Sequence, residues 1–540
     1  MHTAARKNVK KLLRFFLYAV CGILTALPLS DGRLWLFAWI FPVPVLFCEY
    51  KRKTEEKRYL FRAWKRGLNF FFFYGFVAFM WLRKLYPMDY MGFTNGESML
   101  IIVLGMVGMP LLQGTVSSFV FVYSAYLRKK GFLNKHPVFS FVGVSFLWVV
   151  SEWMQTLTFA GVPWGRIAIG QTEKLAVIQT ASLFGSYFVA FVVIATSSLL
   201  TLAAVRASEM KIKQSILLFL CAVLTFSANY IYGTVKIAVS DYSENREIAV
   251  AALQGNMLYE DVRSDKQEYT EDVYRSLSYG AAQDGAELIV MPETAIPYDM
   301  AADSAVFDYF TSLYEHTGTD IIGTAFRCEG EKLYNITFTV TENGISGEYY
   351  AKRHLVPFGE YLPCEKIINT LCPPLARLSE IDEPLTAGNE PTVFEFSGMK
   401  VSSLVCFDSV FEKLALDEVR GGSQLLCVST NDSWFSGSPA LSQHNKQTVL
   451  RCVECERYAV RAANTGISSI VSPTGEILSS LGDGKRGYIT DTVHLLTTRT
   501  LYSYIGNSIV AIGALYIFVT IIMGRKYGNR DKKRTGRKDS

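Results

Sequence analysis

The chain has 540 residues, half of them hydrophobic and only 19% charged, with a formal net charge of +5. That balance excludes a chain that is soluble throughout, because the apolar residues gather in long runs over 1–235 while 245–495 has an ordinary soluble composition. The modest positive charge sits between apolar runs, so it reads as attraction to lipid headgroups. It is not a nucleic-acid footprint, and no nucleic-acid motif accompanies it.

A bilayer core needs roughly 20 apolar residues in a helix. In chain order, candidate spans lie at 12–27, 34–48, 67–82, 99–127, 138–150, 184–205, 216–232 and 504–523. Run 34–48 is short and carries Pro42 and Pro44, which predicts a broken or partly re-entrant segment. Run 99–127 is long enough to tilt, or to bend near Gly108 and Pro110. Lys and Arg gather in the N-terminal stretch, in 51–66, 127–136 and 206–213, and in the tail, whereas gaps 28–33, 83–98 and 151–183 hold few. Cytoplasmic loops carry the basic excess. Both termini are therefore expected in the cytoplasm and the domain after the seventh span outside, which in a bacterium with two membranes is the periplasm. The basic, then apolar, N-terminus lacks a clear small-x-small cleavage site and reads as a retained anchor. The expected plan is a membrane domain at 1–240 with about seven transmembrane helices, an outward α/β domain at 245–495, a final helix at 500–524 and a basic cytoplasmic tail at 525–540.

Ten cysteines need placing. Cys21, Cys48 and Cys221 lie in or beside spans and read as packing residues. Seven lie in the outer domain, and an odd number in an oxidising compartment leaves a free thiol if the others pair. "RCVECER" has a C-x-x-C spacing, but no second pair or His cluster accompanies it, so it reads as structural or incidental.

From Arg246 onward, short apolar runs alternate with amphipathic stretches. Strands are predicted at "IAVAALQGN", "ELIVMPE", "TDIIGTAF", "YNITFTV", "ISGEYYAK", "KVSSLVCFD", "SQLLCVSTND" and "ISSIVSPTGEIL", and helices at 267–283, 304–317, 410–420 and 441–463. Strands and helices intermixed in this way predict an α/β layered domain. Three strand ends carry chemistry: "LIVMPETA" brings Glu293, "EYYAKRHLVPFGEYLP" brings Lys352 and "SSLVCFD" brings Cys406. Singly, these read as a turn carboxylate, a solvated charge and a buried filler thiol. Together they supply a general base, an electrostatic clamp and a nucleophile for acyl transfer.

With those residues in place, 246–495 resembles the nitrilase (carbon–nitrogen hydrolase) superfamily, whose Glu-Lys-Cys triad occurs in this order on an α-β-β-α sandwich. The whole chain resembles the apolipoprotein N-acyltransferase family, on the strings "LQGN", "MPETAIP", "KRHLVPFGEYLP", "STNDSWF" and "RAANTGISSIVSPTGEI". The resemblance implies a polytopic α-helical membrane protein of about eight transmembrane helices with an inserted nitrilase-like domain. It implies Glu293 as general base, Lys352 as oxyanion stabiliser and Cys406 as nucleophile, with Glu360 and Asn335 supporting the site. It also implies a mobile lid from Glu360 to about Asp382.

The chain departs from that pattern at two places. Cys406-Phe407-Asp408 stands where the family usually has Cys-Tyr-Glu, and Arg263 stands where a Trp is usual. Asp408 keeps the charge on a shorter arm and is expected to shape the pocket, while Phe407 lacks the hydroxyl. The implied reaction moves an acyl chain from a phospholipid to the α-amine of a diacylglyceryl-modified apolipoprotein, with no metal or organic cofactor. A membrane-tethered amidase and a degenerate scaffold remain alternatives at this stage.

Overall fold

The computed structural model describes residues 2–89, 92–157, 161–257, 267–301, 304–371, 375, 377 and 384–535. They divide into two units. One comprises 1–80, 103–238 and 507–540, and the other 81–102 and 239–506.

The first unit is helical. Six segments are long and apolar enough to cross a membrane: Asn8–Ser30, Gly32–Tyr50, Asn95–Lys129, Ser186–Ser208, Ile212–Val239 and Ser508–Arg530. This is a membrane protein. Two further expected spans form helices that fall outside that set: Tyr59–Ala78, which opens with Arg62, Lys65 and Arg66, and the 17-residue Val138–Met154. The run at 34–48 is broken as its prolines predict, into Gly32–Leu34, Phe37–Ile40 and Pro42–Tyr50. Helix Asn95–Ser117 runs through Pro110, and the break falls at Ser118 before Phe119–Lys129. Ser118 Oγ donates back to the Gly114 carbonyl, which also accepts the Ser118 backbone N–H at 2.9 Å. The buried Glu49 carboxylate ties the helices together, meeting Arg66 Nη2 at 2.7 Å, Arg52 Nε at 3.2 Å and the Tyr18 hydroxyl.

The second unit is built on two six-stranded sheets. The first has the order β12-β1-β2-β3-β4-β5, with β1 at Glu247–Gln254, β2 at Leu288–Val290, β3 at Asp320–Glu329, β4 at Lys332–Thr341, β5 at Gly344–Ala351 and β12 at Gly487–His494. The second has the order β11-β10-β9-β8-β7-β6, with β6 at Val393–Phe396, β7 at Met399–Val405, β8 at Leu425–Thr430, β9 at Tyr458–Ala463, β10 at Ser468–Val471 and β11 at Ile477–Leu481. Each sheet has three parallel central strands, β1-β2-β3 or β7-β8-β9, flanked by antiparallel ones, so the two repeat one plan.

Central parallel strands are covered on both faces and need continuous apolar runs. Ile248, Val250, Ala252, Val290 and Ile322 of the first sheet share one core with Val401, Val405, Leu425, Cys427 and Val460 of the second. The first sheet's other face packs on helices Gln267–Gln283 and Ser304–Thr317 through Tyr274, Ala281, Val306, Phe310 and Leu313. On the second sheet's side lie Glu412–Arg420 and the deeply buried Pro439–Cys455. The result is an α-β-β-α sandwich.

Three expectations need correction. The helix placed at 441–463 stops at Cys455, where Glu456 turns left-handed (φ 51°, ψ 56°), and the next residues form β9, parallel to β8. Its Ala- and Arg-rich composition favours helix, but a place between two strands in a buried sheet overrides propensity. "ISSIVSPTGEIL" is a hairpin of two strands, β10 and β11, turning at Pro473–Gly475. Strands β6, only four residues long, and β12 add to those expected. No disulfide joins any two of the nine described cysteines, and Cys452 and Cys455 are buried on one helix; Cys372 lies outside the described residues.

Glu418 is wholly buried on helix Glu412–Arg420, with Arg353 Nη1 3.8 Å away. Burial pushes its carboxyl up to about 9, with Arg353 pulling down and Asp408 adding to the rise. An unfolded glutamate releases its proton at roughly 4.3. The folded state holds it until about 9, so this residue's contribution to stability falls as pH rises between those values. Glu418→Gln is expected to remove that decline, raising the thermal midpoint at pH 8 more than at pH 5. A variant that keeps the parent's pH dependence refutes this.

Candidate active site

The residues singled out at strand ends converge. Beyond β2, Met291 and Pro292 lead to Glu293, which is 5% exposed. Its Oε1 accepts from Lys352 Nζ at 2.8 Å and from Asn335 Nδ2 at 2.9 Å, and its Oε2 accepts from the Asn431 amide at 3.0 Å. Lys352 follows β5 and is 1% exposed. Its ammonium also donates to Glu360 Oε1 at 2.5 Å, and Glu360 is itself fixed by the Val356 amide at 2.8 Å. Asn335, on β4, further holds Lys352 by accepting its backbone N–H at 2.9 Å.

Cys406 ends β7 and opens a tight turn over Cys406–Val410. Its φ is +51°, a left-handed conformation that costs a non-glycine residue energy and persists only where the surroundings enforce it. Asp408 enforces it. Wholly buried, its carboxylate accepts from the amides of His354 (2.7 Å), Val405 (3.2 Å) and Arg353 (3.3 Å) and from the Tyr350 hydroxyl (2.8 Å). One acid thus binds the turn of Cys406 to the segment after Lys352. Phe407 is buried edge-on to His354 and Phe411, whose rings stack on each other at 3.6 Å.

The electrostatics follow from this packing. Burial works against the Lys352 ammonium, but Glu293, Glu360 and Cys406 outweigh it and hold it charged well above the usual lysine range. Burial raises the Cys406 thiol, Glu293 raises it further and Lys352 pulls it down. Burial also raises Asp408, to about 6, against the pull of Lys352 and its hydrogen bonds. The Glu360 carboxyl is raised by burial too, with Lys352 opposing and Glu293 adding to the rise. A buried thiol beside a carboxylate and an ammonium is the equipment of nucleophilic acyl transfer.

Residues 249–502 match the family model described as Carbon-nitrogen hydrolase, and residues 21–199 match that described as Apolipoprotein N-acyltransferase N-terminal domain. A curated apolipoprotein N-acyltransferase from Geobacter metallireducens is 28% identical over 510 residues, covering 92% of each chain. Another from Gloeobacter violaceus is 25% identical over 504 residues, again 92% of each. The chain belongs to the apolipoprotein N-acyltransferase family. Among solved structures, an amidase from Nesterenkonia sp. is 18% identical, with 46% of this chain and 91% of that one covered and a TM-score of 0.34.

Of this family member's two departures from the usual pattern, Phe407-Asp408 is accommodated as described, and Arg263 lies outside the described residues. The expected lid is described only in part, as helix Glu365–Leu371 and isolated residues beyond it. Arg377 pairs there with Glu97 at 2.5 Å and lies over the Phe93 ring. Sequence reasoning missed Asp432, His444 and Arg461. All three are buried; Asp432 and His444 lie beside Cys406, and Arg461 bonds Asp432. The signal for Asp432 was its place in "STND" just after β8, the strand next to β7, while Arg461 lies in β9, the strand next to β8.

Proposed function

We propose that this protein transfers an acyl chain from a membrane phospholipid to the α-amino group of the lipid-modified N-terminal cysteine of apolipoproteins. The buried Glu293–Lys352–Cys406 constellation carries this reading, and the family's name supports an apolipoprotein as acceptor and an acyl chain as the group moved. Glu293 takes the proton from Cys406 Sγ, and the thiolate attacks an ester carbonyl of the phospholipid. Lys352 and backbone N–H groups stabilise the oxyanion. The C–O bond breaks, the lysophospholipid leaves with the proton returned by Glu293, and the acyl group stays on Cys406 as a thioester. The acceptor amine then attacks, a C–N bond forms, the C–S bond breaks and the thiol is restored. Asn335 and Glu360 hold the base and the ammonium, while Asp408 and Phe407 shape the turn.

Membrane helices suit this chemistry, because both substrates carry acyl chains that leave a bilayer only at high cost. The basic loops support a reading with both termini in the cytoplasm and the sandwich in the periplasm of a bacterial inner membrane. The domain plan of 1–240, 245–495, 500–524 and 525–540 belongs to the same reading.

The test is the intact mass of purified protein after incubation with a defined phospholipid, beside Cys406→Ala. A one-acyl increase is expected that hydroxylamine removes, that a diacylated lipopeptide discharges and that the variant lacks. A protein that forms no adduct with any phospholipid is not an acyl carrier. An adduct lost to water as fast as to the lipopeptide marks an amidase.

A further inference from the structure

Helix Val138–Met154, in the helical unit, carries near its end a carboxyl that its surroundings leave half satisfied. Glu152 is 2% exposed, and its Oε1 accepts from Trp148 Nε1 at 3.0 Å and from the Ile167 amide at 2.9 Å. Its Oε2 is buried and has no hydrogen-bond partner among the described residues. Gln155 Oε1, at the C-cap of the same helix, is bare in the same way. Arg166 is turned to Ser186 Oγ, at 2.6 Å, and to the Tyr187 ring, and gives neither oxygen a bond. An ionisable side chain inside a membrane unit is costly, and a bare oxygen adds to that cost.

Both residues line a cavity of about 20 Å³, room for one water-sized group. Three donors on its wall are spent on backbone carbonyls. The Tyr74 hydroxyl donates to Gly165 at 2.6 Å, the Gln113 amide to Val162 at 2.8 Å and the Ser151 hydroxyl to Trp148 at 2.8 Å. What faces the cavity without a partner is a pair of acceptor oxygens, one of them on a carboxyl. The C-terminal end of a 17-residue helix adds negative potential at the same place. A primary ammonium suits these conditions: it is water-sized, positive and carries three N–H donors.

A second cavity starts from the same wall. Ser151 also lines a groove of about 510 Å³, otherwise bounded by mostly apolar side chains, Val116, Phe119, Val150, Met154 and Ile517 among them. That volume is in the range of roughly 300–1,000 Å³ in which organic ligands are held. The helix break at Ser118 falls in its wall, between Val116 and Phe119. Phe119 and Met154 are exposed, so the groove opens at the surface of a unit that spans a bilayer. A polar and an apolar cavity that share one serine fit an amphiphile, not a free amine.

We propose that the helical unit binds one phospholipid with a primary-amine headgroup, its ammonium against Glu152 and Gln155 and an acyl chain in the groove. All the residues that form the site belong to that unit, and the proposal does not rest on acyl transfer.

The experiment is photo-crosslinking of the full-length detergent-purified protein, read by peptide mass, with a phosphatidylethanolamine that carries a diazirine in one acyl chain. Adducts are expected on helices Val138–Met154 and Ser508–Thr535, which supply Val150, Met154 and Ile517. Unlabelled phosphatidylethanolamine is expected to displace the probe at about tenfold lower concentration than phosphatidylcholine of the same chains, whose quaternary ammonium has no N–H to give. Glu152→Gln is expected to remove that preference and to keep the adducts, because the groove is untouched. Adducts absent from both helices, equal displacement by the two lipids, as a cavity filled only by water gives, or a preference that survives Glu152→Gln each overturn the proposal. Should that variant fail to fold, Gln155→Leu takes its place, with a narrowed preference expected and an unchanged one overturning the proposal. Displacement by a diacylated lipopeptide with a free α-amine at lower concentration than by phosphatidylethanolamine would give the site to that amine and overturn the phospholipid assignment.

Discussion

Lys352→Met is expected to abolish acyl transfer and to weaken the fold at the same time. The ammonium is the shared partner of Glu293 and Glu360, and all three are largely buried. Removing it leaves two carboxylates together without a counter-charge, a loss of about 3–5 kcal/mol unless one of them takes up a proton. Transfer loses its oxyanion stabiliser and the pull on the Cys406 thiol together, so the rate should fall about a thousandfold or more. Iodoacetamide alkylation of Cys406 at neutral pH should slow in parallel. A variant retaining a tenth of the parent's transfer rate would remove Lys352 from the reacting set.

Glu293→Gln separates two properties that Lys352→Met changes together. The Glu293 charge raises the Cys406 thiol, so its loss makes the thiolate easier to form. The same change removes the group that accepts and returns the proton, at a cost of about 10²–10⁴ in rate. Alkylation of Cys406 is therefore expected to quicken while acyl transfer collapses. The fold should survive, because Lys352 keeps Glu360 and the glutamine oxygen can still accept from Lys352 and Asn335. Alkylation and transfer falling together would mean that Glu293 acts only by holding the site's shape.

How much of this was legible in the sequence depended on what each residue sits beside. Glu293, Lys352 and Cys406 follow apolar runs too short for helices, so their place at strand ends could be read directly. Helices 267–283 and 304–317 announced themselves as amphipathic stretches, and the buried Val273, Tyr274 and Ala281 of the first and Val306, Phe310 and Leu313 of the second form their inner faces. Arg461 was hidden because β9 reads as helix until its neighbours in the sheet are known. His444 was hidden because its partners, Asp432 and Cys406, come from other strand ends, and no local pattern links them.

The position of β12 bears on how the protein is made. A chain leaves the ribosome from its N-terminus and folds as it emerges. β1 pairs on one side with β2 early, but its other partner, β12, is translated only after the entire second sheet. Throughout that interval β1 presents a bare, sticky edge of the kind that recruits foreign strands. A message truncated after β11 would yield a complete Cys406 turn beside a sheet whose outer border never closes, a product fit for proteolysis and not for the membrane.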